Sequence, residues 1–298
     1  MLRVLQFGAT GQLGRALIDG GRSANIALTA LDRAQADLAR PGAAAAATAA
    51  SPADVVVIAA AYTAVDRAES EEAMAHRINA AAPAEIAQAA AARSVPVIYV
   101  STDYVFAGTG SHAWQEDDAT VPLNAYGRTK AAGEAAVLAA SPENLVIRTS
   151  WVFSPWGRNF VTTMLRLAEG QDEISVARDQ RGRPTSALDL ANAILAIAPR
   201  AISGEITGIL HFANAGETDW AEFAQTVFAE AKARNWPHAR VRRIPASDYP
   251  APAMRPANSV LDTARFERLT GLIPRPWHEA LSETLDRMAL DAACSPDA

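Results

Sequence analysis

The stretch LRVLQFGATGQLG, residues 2–14, decides how the chain is to be read. A short apolar run leads into three glycines, Gly8, Gly11 and Gly14, spaced G-x-x-G-x-x-G. After a strand and at the head of a helix, such a triplet is a variant of the dinucleotide-binding fingerprint. The first glycine suits a tight turn out of the strand. A side chain at the second would hold a pyrophosphate away from the backbone. A bare third position lets the helix pack close to the sheet, and the helix N-terminus presents unpaired N–H groups to an anion.

The surrounding pattern gives the loop its context. Further apolar runs follow at IALTALD (26–32), DVVVIAA (54–60), VPVIYVST (95–102) and NLVIRTSW (144–151). They are rich in Val, Ile and Leu and mostly continuous, which suits strands buried on both faces of a parallel sheet. Helical stretches lie between them, notably Asp66–Arg93 and Tyr126–Ala140. AAAAATAA, after Pro41 and Gly42, also reads as helix because alanine has the highest helix propensity. Strand and helix in alternation predict an α/β fold, a Rossmann-type doubly wound parallel sheet, over residues 1–150.

Beyond Trp151 the texture changes. EISVARDQRGRPTS, GILHFANAG and RRIPASDYPAPAMRPANS read as short strands and loops between helices at 158–169, 186–198, 219–234 and 276–292. Residues 151–298 are expected to form mainly a smaller C-terminal substrate-binding lobe, with some segments returning to the main sheet. No internal repeat is present.

Composition excludes several classes. The chain has 298 residues, half of them hydrophobic, and a formal charge of −6. Without a basic stripe, nucleic acid is not an expected partner. The single cysteine, Cys294, lies in the tail and cannot form an internal disulfide, which fits a reducing compartment. The first strand pattern begins at residue 2, leaving no room for a signal peptide, and no apolar run is long enough to cross a bilayer. A cytoplasmic protein with no membrane partner is expected. No His/Cys/Asp cluster has metal-ligand spacing, so no metal is expected.

Within this frame the strand ends become candidate sites. Asp32 closes the second run, where a carboxylate accepts hydrogen bonds from an adenosine ribose; Arg33 beside it suits a 2′-phosphate. The pair leaves NADH and NADPH both open, and a solvated Asp-Arg turn is the plain alternative. Asp37 and Leu38 follow where an adenine would be bordered. Small residues Ala60 and Ala61, with Thr63, would let the chain pass beneath a cofactor. Thr102 ends the fourth run. Tyr126 and Lys130 share one helix face, a turn apart. Alone they are two surface neighbours. Near a nicotinamide and Ser101-Thr102 they become a proton-handling pair, in which the ammonium is expected to lower the phenol's pKa while Tyr126 protonates a carbonyl oxygen and hydride reaches its carbon.

The segments FGATGQLG, AAAYTAVDRAES, STDYVFAGTG, PLNAYGRTKAAGE, RTSWVF and RPANSVLDT together resemble the extended short-chain dehydrogenase/reductase family, and within it the dTDP-4-dehydrorhamnose reductases. The likeness covers nearly the whole chain. It implies NADPH- or NADH-dependent reduction of the C4 ketone of dTDP-4-dehydro-L-rhamnose. Tyr126 would be the proton donor, Lys130 its electrostatic partner and ribose ligand, and Thr102 the residue that tunes the substrate carbonyl. Gly11, Gln12 and Leu13 would lie against the pyrophosphate. Asp103, Tyr104 and Trp151 would stand on the sugar side, with Arg255 and Asn258 toward the nucleotide end. Asn79 either supports the active-site helix or is a buried structural amide. Some relatives form a magnesium-bridged dimer through acidic side chains, one just after the glycine loop; here that stretch reads Arg15-Ala16, so a monomer or a metal-free homodimer is expected. Two alternatives share the fold: a nucleotide-sugar epimerase or dehydratase, and a non-catalytic subunit resembling the regulatory subunit of methionine adenosyltransferase. The dehydratases typically place Asp-Glu after the threonine, whereas Thr102 is followed by Asp103-Tyr104.

Overall fold

The computed structural model describes residues 1–24, 26–249 and 251–293, so Cys294 lies outside the described residues. Six parallel strands form the main sheet: β1 (Arg3–Phe7), β2 (Ala27–Leu31), β3 (Val55–Ile58), β4 (Val97–Thr102), β5 (Leu145–Thr149) and, late in the chain, β7 (Gly208–His211). Their order is β7-β5-β4-β3-β1-β2, every neighbouring pair parallel. The chain leaves β1 toward β2 on one side and returns as β3 on the other. That reversal opens a crevice at the carboxyl ends of β1 and β3.

The continuous apolar runs are explained by burial of both faces. Val4, Val55, Val57, Ile98, Leu145 and Ile147 point to one core, beneath α1 (Gln12–Ser23) and α6 (Ala187–Ile202). The alternate residues, among them Leu5, Phe7, Val56, Ile58, Val97 and Tyr99, point to a second core. That core is covered by α2 (Ala43–Ala50), α3 (Ala82–Ala91) and α4 (Ala125–Ala140). Successive strand side chains face opposite ways, so a strand between two helical layers is apolar at every position.

The stretch Asp66–Arg93 is not one helix. It comprises a short turn at Val65–Ala68, a helix from Glu72 that widens into a π turn at Arg77–Ala81, and α3. The π turn carries Asn79, whose amide accepts from Tyr62 N at 2.7 Å and donates to Thr129 Oγ1 at 3.1 Å. Tyr99 Oη donates to the Asn79 carbonyl at 2.7 Å.

The smaller lobe has its own core, in which Phe153, Val161, Ile174, Val176, Phe223 and Leu281 pack together. It is built from β6 (Glu173–Ala177) paired in parallel with β8 (Arg240–Ile244), and from α5 (Phe160–Ala168), α7 (Trp220–Ala233) and α8 (Trp277–Ala293). α6 and β7 lie beyond residue 151 yet belong to the main sheet layer. No helix among the described residues is long and apolar enough to cross a membrane.

Candidate active site

The glycine loop is built by three close approaches of different kinds. Gly8 has φ of +100°, and a Cβ there would lie 2.7 Å from Ala60 N, so a side chain is excluded on both grounds. A Cβ on Gly14 would fall 1.8 Å from the Gly8 carbonyl oxygen; this is the tight contact of helix with strand end. Gly11 differs: a Cβ there would meet nothing within 4 Å. Its open side faces a cleft of about 700 Å³ at the carboxyl ends of the strands. No side chain caps the N-terminus of α1, and its first turn has no acidic residue. The helix therefore offers bare N–H groups and a partial positive charge to whatever fills the space beside Gly11.

The cleft runs from β2 to β4 across the sheet. Gly8, Gly11, Gln12 and Leu13 form one wall, with Ala60, Ala61 and Thr63 after β3. Asp32, Arg33, Asp37 and Leu38 line the β2 end, and Tyr126 and Lys130 the β4 end. Asp32 Oδ1 accepts from Ala34 N at 2.9 Å and Gln35 N at 3.0 Å, so it holds its own turn as well as facing the cleft. Arg33 is mostly exposed and pairs loosely with Asp37 at 3.4 Å. These residues fit a dinucleotide: a bare helix N-terminus for the pyrophosphate, with a carboxylate and a guanidinium at the adenosine end.

Helix α4 brings the Tyr/Lys pair to the cleft. Asn124 caps it, Oδ1 accepting from Gly127 N at 2.8 Å, while its Nδ2 donates to Met254 O at 2.8 Å. A Cβ on Gly127 would lie 2.1 Å from the Tyr104 carbonyl oxygen, so a bare residue lets α4 press against the turn after β4. Lys130 is buried; its ammonium donates to Val100 O at 2.7 Å and sits 3.8 Å above the centre of the Tyr99 ring. Burial pulls its pKa down to about 7, against the charge of Glu134.

The phenol departs from the sequence expectation. Burial pushes the Tyr126 pKa well above its ordinary value, and Thr102 lowers it by less. The Lys130 ammonium is turned onto the β4 carbonyl, to which it donates at 2.7 Å. Like any phenol below its pKa, Tyr126 is protonated at neutral pH, and burial makes it a weaker acid, the opposite of the direction expected from the sequence.

Three of the six substrate-side candidates, Thr102, Asp103 and Tyr104, lie around the phenol, and none of the six lines the cleft itself. Thr102 Oγ1 donates to Asp103 Oδ1 at 3.0 Å and accepts from Tyr104 N at 3.2 Å. Burial raises the Asp103 carboxyl to about 7, with the Ser259 and Thr102 hydroxyls opposing. Tyr104 packs edge-on against Tyr126, ring centres 5.6 Å apart. Arg255 is held by Asp66 at 2.8 Å. Asn258 is not aimed at the cleft: its amide donates to His112 O at 2.7 Å and accepts from Val260 N at 3.1 Å, ties internal to the loops. Trp151 has φ of +48°, rare for a bulky residue, and its indole lies flat on Trp220 at 3.6 Å. A Cβ on Gly182 would come within 2.4 Å of that indole. The Trp151 ring is thus clamped by the smaller lobe.

Beside Ser101, already paired with Thr102 in the sequence, Thr149 and Arg158 line the cleft without having been singled out there. Thr149 ends β5 and Ser101 precedes Thr102; both hydroxyls are buried on the cleft wall without a partner. The strand-end rule that selected Thr102 also selects Thr149. Arg158 joins the wall from a loop of the smaller lobe, and no local pattern announces it.

Comparison with known proteins places this architecture. The family model described as RmlD substrate binding domain matches residues 2–290. The chain is 42% identical over 282 residues to the dTDP-4-dehydrorhamnose reductase of Sinorhizobium fredii, covering 94% of this chain and 95% of that one. Its likeness to the Escherichia coli K12 protein of the same name is 40% over 294 residues, covering 96% and 98%. A Bacillus anthracis dTDP-4-dehydrorhamnose reductase, solved in complex with NADP, superposes with a TM-score of 0.89 at 32% identity, covering 96% of this chain and all of that one. With the glycine loop, the Tyr126/Lys130 helix and both lobes matched along nearly its full length, the chain belongs to the dTDP-4-dehydrorhamnose reductase family.

Proposed function

We propose that the protein reduces the C4 ketone of dTDP-4-dehydro-L-rhamnose to the alcohol of dTDP-L-rhamnose, using NADPH or NADH. One observation carries the reading: a single cleft is lined at one side by a bare glycine-loop helix terminus and at the other by Tyr126 and Lys130. Gly8, Gly11, Gln12 and Leu13 would hold the pyrophosphate; Asp32 and Arg33, with Asp37 and Leu38, the adenosine end; Ala60, Ala61 and Thr63 the middle. When bound, the dihydronicotinamide supplies the hydride for the ketone carbon. The chain's own residues supply the proton and the alignment. Tyr126, protonated at neutral pH, gives its proton to the C4 oxygen, which Thr102 helps to hold. Lys130 stabilises the phenolate left behind once its ammonium swings from the Val100 carbonyl, and is placed to bond a ribose. Asp103, Tyr104 and Trp151 would border the sugar, and Arg255, released from Asp66, would meet a phosphate.

The lobe of residues 151–298 is the substrate side of this reading, apart from α6 and β7. A cytoplasmic enzyme working as a monomer or homodimer fits the single cysteine. The test is NAD(P)H oxidation with dTDP-4-dehydro-L-rhamnose and with its uridine counterpart. Stoichiometric loss of the reduced coenzyme with the thymidine substrate supports the assignment. Turnover of a nucleotide sugar without net coenzyme loss would instead indicate an epimerase or dehydratase. Binding without turnover of any keto-sugar would indicate the non-catalytic role.

A further inference from the structure

The charged side chains on the cleft wall are Asp32, Arg33, Asp37, Arg67, Lys130 and Arg158. Five have a partner within the protein, though that of Arg33 is loose and exposed. Asp32 holds its turn, Arg33 and Asp37 pair, Arg67 pairs with Glu71, and Lys130 is bound to the β4 carbonyl. Among the described residues Arg158 alone of the six has neither hydrogen bond nor ion pair, and it is exposed to the cleft.

Its position is fixed by the loop that carries it. Ser154 Oγ lies 3.0 Å from Gln12 Oε1, tying residues 154–159 to the first turn of α1. Asn159 closes the loop: its Nδ2 donates to Ser154 O at 2.9 Å, and it forms a reciprocal cap with Thr162 at the start of α5. Between these anchors Gly157 turns with φ of +71°, and a Cβ there would be 4.0 Å from Gln12 Cγ. The loop thus lies across the glycine loop from the smaller lobe, and Arg158 follows directly. With the carbonyl oxygen of the Gln12 amide facing Ser154, its N–H groups are left for the cleft.

We propose that Arg158 is the cation that neutralises the coenzyme's pyrophosphate, closing on it from the smaller lobe opposite the α1 N-terminus. This rests on the reading of the cleft as a dinucleotide site. A planar guanidinium on an anchored loop forms charge-assisted, forked hydrogen bonds to phosphate oxygens, and the bare helix terminus supplies the facing partial charge. Every coenzyme contact named above comes from the main sheet layer; Arg158 would make the smaller lobe a participant in binding the coenzyme.

Fluorescence titration of the full chain with NADPH and with NADH, without sugar, tests it in Arg158→Gln and Arg158→Lys. The pyrophosphate is common to both coenzymes. Arg158→Gln is therefore expected to raise both Kd values by the same factor, about ten- to a hundredfold, as for a lost charge-assisted hydrogen bond. Arg158→Lys should recover part of the loss, and added salt should weaken the wild type more than Arg158→Gln. Unchanged Kd values in Arg158→Gln would overturn the proposal. So would a loss confined to NADPH, which would place Arg158 at the 2′-phosphate. A wild-type chain that bound neither coenzyme would overturn the dinucleotide reading itself, a failure distinct from that of Arg158.

Discussion

Gly11 and Gly14 are three residues apart and do opposite things. Gly14 has no room for a methyl group because the Gly8 carbonyl occupies it, whereas Gly11 opens onto the cleft with nothing within 4 Å. The two substitutions should therefore separate folding from binding. Gly14→Ala is expected to cost about 1–3 kcal/mol by overpacking, seen as a lower denaturant midpoint. Gly11→Ala should keep the wild-type midpoint and weaken NADPH binding by about tenfold, since its methyl group would hold the pyrophosphate off the backbone N–H groups and cost a charge-assisted hydrogen bond. Equal midpoints for both variants would contradict this division. The triplet was legible in the sequence because its three requirements are local. Asn258 was not: whether an amide faces a ligand or ties two loops depends on His112 and Val260, and the tie to His112 spans 146 residues.

The element that matters most is α4. Asn124 fixes its first turn, Asn79 reaches Thr129 in its middle, and Glu134 holds Arg148 of β5 at 2.7 Å, both side chains almost fully buried. Removing one member of such a pair leaves a buried charge alone. Glu134→Ala is expected to destabilise the protein by about 3–5 kcal/mol in chemical denaturation. A loss below about 1 kcal/mol, the value of an exposed pair, would show that the contact does not hold the helix. The Tyr126/Lys130 face could be read from i, i+4 spacing alone. The break in the preceding helical stretch could not. Its alanine-rich sequence favours continuous helix, and the π turn at Asn79 exists where Tyr62, Tyr99 and Thr129 converge on one residue from three other segments.

At the scale of the molecule, two lobes meet over a cleft, and one charged group on its wall, Lys130, is buried. Lys130 illustrates the cost. Its folded-state pKa, about 7, lies below its ordinary value of 10.5, so between those limits the unfolded chain binds more protons than the folded one. Stability from this group must rise with pH from about 7 to 10.5. Relative to Lys130→Met, the coenzyme-free wild type should gain denaturation midpoint over that window; parallel pH profiles for the two proteins would refute it. The sheet strands were legible as continuous apolar runs because burial on both faces erases alternation. The return of α6 and β7 to that sheet was foreseen only in outline, since nothing local distinguishes a strand that joins the main layer from one that stays in the smaller lobe. The stacked Trp151 and Trp220 and the loop of Arg158 were likewise products of lobe packing, invisible to spacing rules.

Everything converges on the hydroxyl of Tyr126 at the end of the cleft. Its direct test is the paired measurement of kcat and NADPH Kd in Tyr126→Phe with dTDP-4-dehydro-L-rhamnose as substrate. The account predicts a fall in kcat of about 10²–10⁴ with Kd near the wild-type value, the signature of a lost proton donor in an intact coenzyme site. A kcat close to wild type would contradict it.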